Sequence, residues 1–246
     1  MNEILLPFRQ KTMLLRMGLC ALVFIGMAVP FKVMVLIEGL TEVRPVNAVP
    51  VVVGLLFGPA GAWGCAFGNL VADLFGTFSK ASILGFFGNF FAAYLPYKIW
   101  HLWKRGEKPN VKSGKNIGIY ILLTAISALA VAIFLACGLD VFLGMWIPDI
   151  FYIVFFNNLG FPLIIGLSVF IVLTCAEHQV EPFMPPADRQ AGLNKRRVGC
   201  ICLSLLVASQ LCILVLIAGG FAMSAFVPMQ VAGAIFLLSL LIFSFI

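Results

Sequence analysis

Apolar residues run along this chain in blocks of helical length, separated by short polar or glycine- and proline-bearing stretches and without strand-like alternation. The blocks fall at about 13 to 37, 46 to 58, 60 to 77, 81 to 103, 116 to 138, 150 to 176, 198 to 219 and 224 to 246, which predicts eight helices. Lipid offers no hydrogen-bond partner to a backbone, so a span must be a helix or part of a closed barrel, and runs of this length select helices. Between residues 177 and 197, prolines and charges break the pattern, with six blocks before and two after.

Within the second and third blocks the small residues are ordered. Counted in fours, Ala60, Gly64, Gly68, Ala72 and Gly76 make one continuous row, a ridge that lets a neighbouring helix approach to backbone distance. The adjoining row, Gly61, Cys65, Asn69 and Asp73, brings two polar side chains to the same packed side. Arg44 stands at the start of the preceding block, close enough in this arrangement to pair with Asp73, and Asn47 follows it. Such a pair either locks two short helices together or rims a ligand cavity. The fourth block repeats the design, with Ala81, Gly85, Asn89, Ala93 and Tyr97 in one row, so Asn89 also points inward.

A second polar cluster lies in "GLDVFLGMWIPDIFYIVFFNNLGFP", residues 138 to 162, where a predicted loop carries Asp140, Trp146, Pro148 and Asp149 ahead of the sixth span. Trp146 suits an interfacial aromatic belt. Asn157 and Asn158 sit inside the span, followed by Gly160 and Pro162, which loosen the local helix, and Tyr152 precedes them on roughly the same side. These are the strongest candidates for touching a ligand.

Composition agrees with the pattern: 62% hydrophobic and 11% charged residues and a mean hydropathy of +1.10 exclude a large aqueous domain. The net charge of +6 is distributed unevenly. Arg9, Lys11 and Arg16 precede the first block; Lys98, Lys104, Arg105, Lys108, Lys112 and Lys115 flank the fourth-to-fifth connection; Arg189, Lys195, Arg196 and Arg197 precede the seventh. If all eight blocks cross, 13 of the 16 basic residues share one side, which places both termini in the cytoplasm. The charge then faces anionic lipid, with no sign of nucleic-acid binding. The seven cysteines, Cys20, Cys65, Cys137, Cys175, Cys200, Cys202 and Cys212, lack metal-ligand spacing and read as small core residues; no metal or cofactor is expected. There is no phosphate loop, H-E-x-x-H or G-x-S-x-G pattern, and Glu177 and His178 are merely adjacent in a connecting stretch, so an enzyme is not expected.

The stretches "RPVNAVPVVVGLLFGPAGAWGCAFGNLVADLFG", "ILGFFGNFFAAYLPYKIW" and "FFNNLGFPLIIG" together resemble the substrate-binding S components of energy-coupling factor type vitamin transporters, over about residues 13 to 177. The resemblance implies an all-α polytopic membrane protein of the cell membrane, bacterial in kind, that captures a vitamin-like or heterocyclic solute at its outer face. It implies partners, a transmembrane coupling protein and an ATPase pair, and binding residues Asn89, Trp146, Asp149, Tyr152, Asn157 and Asn158, with Arg44, Asn47, Asn69 and Asp73 as rim or support. The chain then divides into a six-helix S-component-like unit at 1 to 177, a cytoplasmic linker at 178 to 197 and an added transmembrane hairpin at 198 to 246. A chain ending at Ile246 without a polar tail is open to being part of a longer one. The alternative reading is a membrane-embedded ligand sensor whose output domain is not in this chain.

Overall fold

A computed structural model of the chain describes residues 3–31, 35–37, 41–76, 78–175, 180–185, 193–222 and 224–246. Glu177, His178, Arg189 and much of the expected linker lie outside the described residues. Among the described residues there are nine α-helices: α1 (Lys11–Ala28), α2 (Ala48–Phe57), α3 (Pro59–Asp73), α4 (Ala81–Lys104), α5 (Gly114–Leu143), α6 (Pro148–Phe161), α7 (Leu167–Cys175), α8 (Leu193–Ala218) and α9 (Val227–Phe245). Short 3-10 turns lie at Glu3–Phe8, Val29–Phe31 and Pro45–Asn47, and a π-helical turn, Pro162–Gly166, joins α6 to α7. Two very short strands, Val35–Ile37 and Thr41–Glu42, pair antiparallel between α1 and α2.

Five segments are long and apolar enough to cross a bilayer: Lys11–Phe31, Gly114–Leu143, Pro148–Thr174, Asn194–Ala218 and Val227–Phe245. These make the chain a multi-pass helical membrane protein. At 24 residues α4 is also long, but Asn89, Lys98, His101 and Lys104 interrupt its apolar surface. The helices α2 and α3 are shorter, and α2 is buried along nearly its whole length, from Ala48 to Leu56. A helix apolar on every side belongs inside a bundle, where protein rather than lipid surrounds it and its length need not match the bilayer.

The small-residue ridge packs as its spacing requires. A side-chain carbon built at Gly64 would lie 2.7 Å from the Met17 carbonyl oxygen, and one at Gly68 would lie 2.8 Å from Phe24 Cβ, so α1 rests directly on the α3 backbone. Gly61 faces the Val53 carbonyl of α2, and Gly54 faces the Ala93 carbonyl of α4. The last member of the row, Gly76, has nothing nearby. The other side of α1, with Leu15, Leu19 and Leu22, is exposed.

Three expected boundaries move, each for a local reason. The first helix stops at Ala28 rather than near residue 37, because Pro30 supplies no amide hydrogen to continue the ladder. The fifth continues through Gly138 to Leu143, so Asp140 is on a helix and not in a loop. Gly138 is there for close packing, since a side-chain carbon would meet Leu84 Cδ2 at 2.8 Å. The true stop is Gly144 at φ 64°, where the Gly144 amide donates to the Asp140 carbonyl and the Met145 amide to that of Leu139. In the sixth span, the loosening expected after Gly160 takes the form of the π turn, whose Pro162 carbonyl accepts the Leu167 amide and also the Tyr120 hydroxyl at 3.0 Å. Of the cysteines, Cys20, Cys65, Cys137 and Cys202 are buried, whereas Cys200 and Cys212 are exposed, contrary to a core role for all.

The basic segments gather at one end of the bundle. Glu3 lies 2.9 Å from Lys98 Nζ there, and Lys108 pairs with Glu181 at 2.8 Å. The turn at Gly58 reaches the same end, beside Tyr97 and Phe183, so α2 and α3 run from the Arg44 end to the basic end and back.

The C-terminal pair α8 and α9 is tied into this bundle at both ends rather than hung from it. At one end the Asp140 carboxylate accepts from the Ser224 amide and hydroxyl, both at 2.8 Å. Midway Gln210 Nε2 donates to the Ile126 carbonyl at 3.3 Å, and at the basic end the Tyr94 hydroxyl lies 3.2 Å from the Ser244 carbonyl, sharing its one proton between that oxygen and the Glu3 carboxylate. Asp140→Ala is expected to remove roughly 2 kcal/mol, lowering the Tm by about 4–8 °C, because hydrogen bonds to a charged group are the strong ones. An unchanged melting curve in detergent would mean that the hairpin is energetically independent.

Candidate functional site

The end of the bundle opposite the basic segments carries the polar cluster. Residues 44 to 47 enter α2 through a 3-10 turn with Pro45 in its first position, α3 finishes beside them at Asp73, and α4 and α6 both start at this end. Asn69 is fully buried and Asp73 nearly so. Arg44 Nη2 donates to Asn69 Oδ1 at 2.6 Å, and Asn69 Nδ2 donates to Asp73 Oδ2 at 3.2 Å. Asn69 therefore stands between the two residues whose charges invited a direct pairing, accepting from the cation and donating to the anion. Gly85 on α4 makes the room: a side-chain carbon there would lie 2.9 Å from Asn69 Nδ2.

Asn89 is inward as its row requires, and the other candidate amides are inward too. Asn47, Asn89, Asn157 and Asn158 are all buried. Asn89 Nδ2 donates to the Gly85 carbonyl at 2.9 Å and Asn158 Nδ2 to the Val154 carbonyl at 2.9 Å, each one turn back on its own helix. Each amide thus spends one hydrogen locally and keeps its oxygen and second hydrogen for other partners. The other candidates occupy different settings. Trp146 is half-buried against the core; Tyr152 is exposed and edge-on to Phe151; Asp149 is exposed in the first turn of α6, a favourable place for a carboxylate beside free backbone amides. Of the candidates, Asn69, Asp73, Asn89, Asn157 and Asn158 are buried on α3, α4 and α6; Asn47, just before α2, is buried as well, and Arg44 is half-buried beside it.

The opposite end holds a cluster that the sequence reading did not identify. Glu3 is buried, and its carboxylate accepts from the Tyr94 hydroxyl at 3.0 Å, the Tyr97 hydroxyl at 3.3 Å and Lys98 Nζ at 2.9 Å. The spacing of Tyr94, Tyr97 and Lys98 on one helical face was visible, but nothing in the sequence marks an acid some ninety residues earlier as their partner. In the loop between α4 and α5, Glu107 accepts from Asn116, Asn110 and Lys104. The Asn116 hydrogen bond, ahead of those from Lys104 and Asn110, holds the Glu107 carboxyl below its ordinary 4.5, against an opposing effect of burial. A lowered folded value means that the stabilisation is fully present above the ordinary carboxylate range and is lost as pH falls through the folded value. Wild type and Glu107→Gln are therefore expected to differ in Tm at neutral pH and to converge on acidification. A constant difference across that range would contradict the assignment.

No family model matches the chain, and neither the curated proteins nor the solved structures include a match. What the fold itself defines is a multi-pass helical membrane protein with a buried polar cluster at one end. Among the described residues no group of histidine, cysteine and acidic side chains is arranged to hold a metal ion.

Proposed function

We propose that this chain binds a small vitamin-like or heterocyclic solute in the membrane, at the end of the bundle that carries Arg44, for uptake energised by separate coupling and ATPase subunits. The observation that carries the reading is the set of five buried polar side chains, Asn69, Asp73, Asn89, Asn157 and Asn158, on three helices that share that end. Polar groups inside a membrane protein are costly, and those facing the bundle interior mark substrate paths more often than lipid-facing positions do. The π turn behind Asn158 adds to it, because such turns release backbone groups and concentrate at functional sites. In this reading all eight helical passes cross, the basic end is cytoplasmic and the Arg44 end faces out. The exposed face of α1, with Leu15, Leu19 and Leu22, is then available to lipid or to the coupling protein.

A membrane-embedded sensor is the second reading, favoured by the hairpin tied to the bundle through Asp140–Ser224 and Tyr94–Ser244. Occupancy of the outer end could be relayed along α8 and α9 to an output beyond this chain. Purification from native membranes separates the two. A coupling protein and paired ATPases in the eluate support uptake, and a kinase or other signalling protein in their place supports sensing.

The binding claim itself is tested by Asn158→Leu. The replacement keeps volume and helix propensity while removing the amide, so the expected outcome is a folded protein with its co-purified solute lost. Full solute occupancy in a folded Asn158→Leu protein would remove the site.

A further inference from the structure

At the basic end, a cavity of about 100 Å³ opens between the C-terminal part of α4, the start of α8 and the end of α9. Its charged side chains are Lys98, Arg105, Lys195 and Arg196, with Glu3 as the acidic one. Lys98 is taken by Glu3 at 2.9 Å, whereas Arg105, Lys195 and Arg196 have no carboxylate partner among the described residues. His101 faces the same cavity, and neither of its buried ring nitrogens has a hydrogen-bond partner among the described residues. An imidazole that has left water without gaining a partner loses hydrogen bonds that a ligand could restore. Three unneutralised cations around a cavity that holds such a group constitute a site for an anion with both acceptor and donor oxygens.

We propose that this cavity binds a phosphate group, carried either by an anionic lipid headgroup or by a free phosphate-bearing solute. The volume exceeds a single water's share of liquid, about 30 Å³, severalfold, and suits a compact tetrahedral anion better than an extended ligand. Arg105, Lys195 and Arg196 supply the charge and forked donors; His101 supplies one hydrogen-bond donor and one acceptor. The site lies at the opposite end of the bundle from the polar cluster and stands independently of the solute that cluster takes.

The test uses the full chain, purified in a non-ionic detergent and washed free of lipid, and probes it in two arms. In the first, native mass spectrometry compares retention of phosphatidylglycerol and phosphatidylcholine. In the second, calorimetry titrates inorganic phosphate. Saturable binding of about one phosphatidylglycerol per chain in preference to phosphatidylcholine assigns the site to a lipid headgroup; saturable phosphate binding assigns it to a free anion. Each cation removed near a membrane surface weakens anion binding about fivefold, so a combined Arg105→Gln, Lys195→Gln, Arg196→Gln protein is expected to bind about a hundredfold more weakly. All three side chains are exposed, so the variant should fold, and its melting curve checks this. Equal retention of the two lipids together with no phosphate binding, or undiminished binding by the folded triple variant, overturns the proposal.

Discussion

Gly54→Val is expected to eliminate the folded protein. A side-chain carbon at Gly54 would overlap the Ala93 main-chain carbonyl, and neither backbone can yield without separating α2 from α4. Overpacking a well-filled core typically costs about 1–3 kcal/mol where side chains can move; here main chain meets main chain and the cost lies above that range. Membrane helices associate through such close packing because lipid removes the hydrophobic drive between them, so the loss is not recovered elsewhere. The control is Gly18→Val on α1, which has open space around it and should behave as wild type. Comparing the two by yield and by monodispersity in detergent checks the claim, and a monodisperse Gly54→Val protein with an unchanged Tm would refute the packing.

Asn69→Leu is expected to be the most damaging change within the polar cluster. It removes the acceptor 2.6 Å from Arg44 Nη2 and the donor 3.2 Å from Asp73 Oδ2 in one step, at a fully buried position. A hydrogen bond to a charged group is worth about 1.5–3 kcal/mol, so the two together are worth about 3–6 kcal/mol. Even the lower figure corresponds to a Tm lower by about 6–12 °C in a chain of this size. Asn69→Asp puts a second carboxylate one turn from Asp73 and should also destabilise, whereas Asn69→Gln keeps both functions of the amide and should lose less. Equal thermal stability of wild type and Asn69→Leu would show that the bridge contributes nothing.

The helical plan was legible because it rests on period and composition. Rows of small residues at fourfold spacing announced a closely packed neighbour on α3 without saying which; α1 takes that place, over Gly64 and Gly68. Two glycines illustrate where such reading stops. Gly138 looked like a helix end and is a packing contact, while Gly144, six residues on, has the left-handed backbone that ends the helix. Spacing alone does not separate a glycine used for close approach from one used for its φ angle. Pro30 carried its signal plainly, yet the apolar run beyond it outweighed that signal in the first helix.

The polar cluster was partly legible as well. Inward placement of Asn69, Asp73 and Asn89 follows from the faces they occupy, and Asn157 and Asn158 stood out by lying inside a loosened span; all are buried. Which partner each amide takes did not follow, because an asparagine in a helix can bond to a carbonyl one turn back as readily as to another helix. Asp149 shows the same ambiguity from outside: a carboxylate in a first turn satisfies the helix end without any ligand. Least legible were Glu3 with Tyr94, Tyr97 and Lys98, and Asp140 with Ser224, since these bonds join residues whose proximity only the tertiary packing creates.

The proposed function stands or falls on a small solute held at the Arg44 end of the bundle. The most direct measurement is mass spectrometry of small molecules released from the protein after purification in mild detergent from cells grown in rich medium. One vitamin-like or heterocyclic compound is expected in near-stoichiometric amount, absent from the Asn158→Leu protein. A folded wild-type preparation that releases no such compound, and gains no thermal stability from a panel of vitamins and nucleobases, would contradict it.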